Sequence, residues 1–99
     1  MSGPWSFCGL GLGRKMATYT GTTGNDSLTG STSADSVYGG AGNDTINASG
    51  GMDTIYGGDG ADSVNAGSGN DLVYTEGGND TVVASTGYDS IYGGAGNDN

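Results

Sequence analysis

Residues 39–65 read GGAGNDTINASGGMDTIYGGDGADSVN. Three copies of one nine-residue unit fill this stretch: 39–47, 48–56 and 57–65. In each copy a glycine-rich run ends on an aspartate, at Asp44, Asp53 or Asp62. An aliphatic follows two residues later, at Ile46, Ile55 or Val64. The Gly/Asp half has turn chemistry and the β-branched half has strand chemistry. One unit is therefore a turn joined to a very short strand.

The unit extends in both directions without a slip. Asp26, Asp35, Asp44, Asp53, Asp62, Asp71, Asp80, Asp89 and Asp98 each open the strand half of a unit. The aliphatic row is Leu28, Val37, Ile46, Ile55, Val64, Val73, Val82 and Ile91. A glycine precedes each Asp by two residues, except at Ser33. A fixed short period of this kind marks a repeat architecture.

A second, longer period overlies the first. Tyr38, Tyr56, Tyr74 and Tyr92 fall in every second unit, and Thr29, Asn47, Asn65 and Val83 take the same place in the intervening units. The chain thus distinguishes two sides, and one full coil takes a pair of units with a strand on each side. The expected fold is all-β: a parallel β-roll, a right-handed β-solenoid of about four coils over residues 21–99. Side chains alternate across a strand, so the aliphatics point inward. One outer face then carries Ser36/Tyr38, Thr54/Tyr56, Leu72/Tyr74 and Ser90/Tyr92, with the tyrosines stacked into a stripe. The other carries Ser27/Thr29, Thr45/Asn47, Ser63/Asn65 and Thr81/Val83.

Composition limits what such an object can do. Glycine supplies 23 of 99 residues and hydrophobics 32%, too few for an ordinary globular core. Regular spacing of Asp and aliphatic separates the chain from a disordered acidic linker. The net charge is −9, and the only bases are Arg14 and Lys15. No basic patch exists to meet phosphates, which excludes nucleic acid as a natural partner. With no histidine, a single cysteine (Cys8) and no base beside any serine, the chain has no nucleophile machinery, so it does not read as an enzyme. One cysteine also excludes an intrachain disulfide. No apolar run reaches the ~18 residues of a membrane span.

Residues 1–20 stand apart as a non-repeat segment, read as a leader, a cap or a docking arm. Trp5, Phe7, Leu10, Leu12 and Met16 are spaced by small residues, and glycines 9, 11 and 13 argue against a helix. The start lacks a basic region and a continuous apolar run, so it does not read as a signal peptide.

The aspartate ladder requires a counter-charge. Stacked carboxylates ~5 Å apart repel by roughly 3 kcal/mol per pair at an effective dielectric of ~20. The ligands on offer are all oxygens: carboxylates and the carbonyls of glycine-rich turns. Hard oxygen cages of six to eight ligands suit Ca²⁺, whereas Zn²⁺ wants Cys or His and Mg²⁺ keeps its waters. Metal binding would then be coupled to folding.

These units resemble the G-G-x-G-x-D-x-U-x nonapeptide of the RTX (repeats-in-toxin, hemolysin-type) family. The match is closest at 39–47, 57–65 and 93–98 and covers residues 21–98. The resemblance implies a β-roll with Ca²⁺ held between loops one coil apart, by all nine ladder aspartates and by glycines of the same loops. Those glycines are Gly24, Gly42, Gly51, Gly60, Gly69, Gly78, Gly87 and Gly96 at the fourth position, and Gly40, Gly58 and Gly94 at the second. On one edge the implied pairs are Asp26/Asp44, Asp44/Asp62, Asp62/Asp80 and Asp80/Asp98; on the other they are Asp35/Asp53, Asp53/Asp71 and Asp71/Asp89, up to seven sites in all. Ser33, Ala48-Ser49 and Thr75-Glu76 depart from the glycine pattern and imply weaker binding in their loops.

The resulting expectation is a secreted, calcium-folded structural module. Head-to-tail stacking into a filament would set Asp98 over Asp26 and Asp89 over Asp35 of the next subunit, and the tyrosine stripe would offer a lateral contact. The family's commoner setting is the alternative: the C-terminal calcium-folded module of a toxin or hydrolase exported by a bacterial type I route. An ice-binding face built on the Thr/Ser/Asn rows, or a glycan-binding one built on the tyrosine stripe, ranks below both.

Overall fold

The structure, a computed structural model, describes residues 17–96. The expectations placed on residues 1–16, Cys8 included, and on Asp98 lie outside the described residues. Within them the chain forms nine strands and no helix: β1 (Ala17–Thr20), β2 (Ser27–Thr29), β3 (Asp35–Ala41), β4 (Thr45–Asn47), β5 (Thr54–Asp59), β6 (Ser63–Asn65), β7 (Leu72–Tyr74), β8 (Thr81–Val83) and β9 (Ser90–Tyr92). Since the described residues hold no helix, none is long and apolar enough to cross a membrane.

The odd strands form one sheet in the order β1-β3-β5-β7-β9, and the even strands a second in the order β2-β4-β6-β8. All pairings are parallel and join strands two units apart, as in Val37↔Ile55 and Ile46↔Val64. The chain is a β-solenoid in which each coil is one such pair of units. Because the offset is even and constant, no rung slips and each face keeps its residue type.

Between the sheets lies a thin core of Val37, Ile46, Ile55, Val64 and Val73, with Ala48 and Ala66. Tyr19, Leu28 and Val82 pack against it while partly exposed. Ile91 continues the inward row in register with Val73, yet it is 42% exposed because β9 is the outermost strand of its sheet.

The roll begins earlier than residue 21. Ala17–Thr20, read from sequence as part of the non-repeat segment, pairs with β3 through Tyr19↔Val37 and Thr20↔Tyr38. Alternation explains this: Tyr19 falls two residues before Gly21, the place an aliphatic holds in later units. It covers the first core rung with an aromatic ring instead.

The tyrosine stripe forms as the alternation of units implies. Rings of Tyr38, Tyr56, Tyr74 and Tyr92 stack with centroids 5.0, 5.1 and 5.0 Å apart and interplanar angles of 1°, 7° and 13°. The rung spacing of a parallel sheet, ~4.8 Å, sets this separation.

Candidate metal centre

The turns that carry the aspartates share one backbone shape. From residue 40 onward the second and fourth loop positions are left-handed in every unit. Gly60, for example, has φ +118° at the fourth position and Gly58 has φ +96° at the second. Ser49, Glu76 and Ser85 occupy second positions and still take φ of 79°, 72° and 67°. The stacked loops on either side hold these residues in a conformation that costs a non-glycine residue on the order of 1–2 kcal/mol. The departures Ala48-Ser49 and Thr75-Glu76 therefore leave the path of the loop intact.

This path buries the carboxylates. Asp44, Asp53, Asp62 and Asp71 are 1–3% exposed. One oxygen of each is satisfied by the main chain one coil back: Asp26 N–H donates to Asp44 Oδ1 (2.9 Å), Asp35 to Asp53 (2.8 Å), Asp44 to Asp62 (2.9 Å) and Asp53 to Asp71 (2.9 Å). The Asp62 and Asp71 N–H groups continue the series to Asp80 (2.8 Å) and Asp89 (2.9 Å). The ladder is thus a continuous backbone–carboxylate chain along each edge.

The other oxygen has no donor. Asp44, Asp53, Asp62 and Asp71 Oδ2 are buried without a hydrogen-bond partner. Their surroundings are acceptors: a methyl group at Gly39 would stand 2.7 Å from Asp44 Oδ2 and 2.6 Å from the Gly57 carbonyl oxygen. At Gly57 it would meet Asp62 Oδ2 at 2.6 Å and the Thr75 carbonyl oxygen at 3.1 Å. A buried anionic oxygen surrounded by oxygens costs several kcal/mol unless a cation joins it.

Electrostatics of the metal-free roll carry the same strain. Burial pushes Asp53 up to about 7, against the lowering effect of the Asp35 N–H, with the Asp71 and Asp35 carboxylates adding to the rise. Burial likewise raises Asp62 and Asp71 to about 6, with Asp80, Asp44 and Asp59 adding to the first and Asp89 to the second. Among the described residues no three Asp, Glu, His or Cys side chains gather at one point. A bound ion would take its ligands from a carboxylate or two and from loop carbonyls. That all-oxygen set fits Ca²⁺.

Sequence reasoning missed three features. Asn25 and Asn43 Oδ1 accept the main-chain N–H groups of Asn43 (2.7 Å) and Ala61 (2.8 Å), and Asn70 accepts from Tyr88 (2.9 Å). The recurrent Gly-Asn-Asp triplet was the signal for this side-chain ladder. Position-two carbonyls are already engaged between coils; Gly58 accepts from Gly77 N–H at 3.2 Å. Finally, the loops of Asp26 and Asp35 are built differently from the rest, through Thr22 and Ser31.

The chain belongs to the family of the RTX calcium-binding nonapeptide repeat. A family model made of four copies of that repeat matches residues 20–53, 47–82 and 74–99. The fold and the loops together define a calcium-binding β-roll of the RTX type. No individual curated protein and no solved structure matches the chain significantly.

Proposed function

We propose that this β-roll is a structural element of an extracellular protein, that it folds when it meets calcium, and that rolls join end to end. The observation that carries the calcium step is the row of donorless, buried Oδ2 atoms at Asp44, Asp53, Asp62 and Asp71. Calcium occupies the loops between successive coils and is held by the ladder aspartates and the carbonyls of the glycine-rich turns. Extracellular calcium, with no competing buffer, supplies the ion. The roll's role is scaffolding; its carboxylates are committed to the metal and to the backbone.

End-to-end joining would extend the sheet by the same register that sets Val73 against Ile91. A second copy would lay β1 on β9 and set Tyr19 over Ile91. This revises the joint expected from sequence. Ala17 holds the register place one coil before Asp35, so Ala17 rather than Asp35 would meet Asp89. Asp98 over Asp26 is the pair of ladder aspartates that remains at the junction. The tyrosine stripe offers a lateral contact between such stacks.

Electron microscopy with circular dichroism, in calcium and in excess chelator, tests this reading. Calcium should produce β signal and filaments that chelator dissolves. Calcium-dependent folding without filaments would favour the alternative, a folding module within a larger secreted toxin or hydrolase. Filaments that survive complete calcium removal would sink the proposal.

A further inference from the structure

The first coil differs from the loops of Asp44, Asp53, Asp62 and Asp71 at the carboxylates themselves. Asp26 Oδ2 accepts the main-chain N–H of Thr22 at 2.5 Å, and Thr22 Oγ1 lies 3.0 and 3.1 Å from the two Asp26 oxygens. Asp35 repeats the arrangement on the opposite edge. Its Oδ2 accepts Ser31 N–H at 2.7 Å, and Ser31 Oγ lies 3.1 Å from both of its oxygens. Each hydroxyl in turn accepts an N–H two residues on, from Gly24 and Ser33, at 3.1 Å. These are local turns closed by a side-chain oxygen.

The backbone agrees with the hydrogen bonds. The left-handed ladder starts at Gly40 and Gly42 on one edge and at Ser49 and Gly51 on the other; Thr22, Gly24, Ser31 and Ser33 are outside it. Gly24 is free to take that conformation and does not, so the whole loop has changed and not only the residue. Thr22 is β-branched and resists the left-handed region, and Ser33 lacks the freedom of the glycine found there in every other unit.

The chemical consequence is a donor inside the loop. The carbonyl beside Oδ2 recurs in the first loops, Gly39 O near Asp26 and Ala48 O near Asp35, but Oδ2 of Asp44, Asp53, Asp62 and Asp71 has no donor. At Asp26 and Asp35 an N–H and an O–H point at Oδ2. A charge-assisted bond to a carboxylate already satisfies the anion and places positive hydrogen where a cation would sit.

Accepting that the later loops hold calcium, we infer that the intervals Asp26/Asp44 and Asp35/Asp53 hold none, closed by Thr22 and Ser31. Five of the seven intervals counted from the sequence remain: Asp44/Asp62, Asp62/Asp80, Asp80/Asp98, Asp53/Asp71 and Asp71/Asp89. The first coil is a metal-independent base on which the calcium-dependent coils are laid. Asp26 and Asp35, whose sequence context looks like that of any other ladder member, are structural acceptors.

Calcium stoichiometry of the full chain at saturation, by native mass spectrometry and equilibrium dialysis, tests this. The wild type should bind five ions. The variant T22G/S31G/S33G restores glycine at the closed positions and should bind seven. Seven ions on the wild type, or no gain in a variant whose circular dichroism shows it folded, would overturn the inference. Should the variant fail to fold, the wild-type count alone decides. A wild type that binds no calcium at all overturns the calcium reading beneath it, which separates the two failures.

Discussion

The main-chain N–H of Asp35 donates to Oδ1 of Asp53, one coil further on, at 2.8 Å. The bond fixes one carboxylate oxygen against the backbone and leaves the other buried and facing acceptors. Repeated along both edges, it makes each aspartate a rivet between coils, and at Asp44, Asp53, Asp62 and Asp71 it leaves an oxygen without a donor. Stability and metal binding therefore act through the same atoms.

Removing the charge without the rivet should separate those two roles. Asp53→Asn keeps an acceptor for Asp35 N–H and replaces the donorless oxygen with an NH₂ that can meet carbonyls. In chelator the variant should be more stable than the parent by about 1–3 kcal/mol, the cost of an unsatisfied buried polar group. In saturating calcium the order should invert. Urea unfolding in calcium and osmolyte-driven folding in chelator measure the crossing; equal shifts of one sign would refute it.

Acid should help the metal-free roll and harm the metal-bound one. The folded values of Asp53 (about 7), Asp62 and Asp71 (about 6) lie above the unfolded value near 4. The folded state thus binds more protons, and its stability falls as pH rises. In chelator the stabilisation is fully present below about pH 4 and lost as pH climbs through about 6 to 7. In calcium, protons compete for the same carboxylates, so the midpoint calcium concentration should rise as pH drops below about 7. Osmolyte-driven folding in chelator followed by circular dichroism, and calcium titrations, both at pH 5, 6, 7 and 8, read the two slopes.

The two left-handed loop positions should not tolerate side chains equally. A Cβ would stand 2.0 Å from the Gly42 carbonyl oxygen at Gly60, where φ is +118°, and 1.9 Å from that of Gly40 at Gly58, so precedent and not clearance separates them. Gly58, at φ +96°, belongs to the position where Ser49, Glu76 and Ser85 already sit near +70° to +80°. Gly60→Ser should therefore cost more than about 3 kcal/mol, and Gly58→Ser about 1–2 kcal/mol. Denaturation in saturating calcium ranks them; equal losses would contradict the distinction.

The asparagine ladder has a smaller effect. Asn43→Ala removes the acceptor for Ala61 N–H and should lower stability by about 1 kcal/mol in calcium. The same change at Met52, whose side chain carries no amide oxygen at the equivalent loop position, serves as the comparison for side-chain loss.

Most of this fold was legible because a repeat writes its geometry many times. The nine-residue row of Ile46, Ile55 and Val64 gave the strand, and the doubled row of Tyr56 and Tyr74 gave the coil. Tyr19 was not legible, since nothing repeats around it and an aromatic replaced the aliphatic. Nor was the closure of the Asp26 and Asp35 loops, because a second-position hydroxyl residue such as Thr22 or Ser31 is ambiguous. Ser49 turns left-handed where the loop supplies Gly51; Ser31 folds onto its own aspartate where the loop supplies Ser33. The choice depends on which partner the carboxylate finds, and a local pattern does not carry that information.

The central claim is that calcium completes the carboxylate ladder and thereby folds the roll. Hydrogen exchange at the main-chain N–H groups of Asp44, Asp53 and Asp62, each bound to a carboxylate one coil on, tests it most directly. In calcium at neutral pH these amides should be strongly protected, and in chelator they should exchange at close to the rates of an unfolded chain. Protection that is unchanged by chelator would contradict the account.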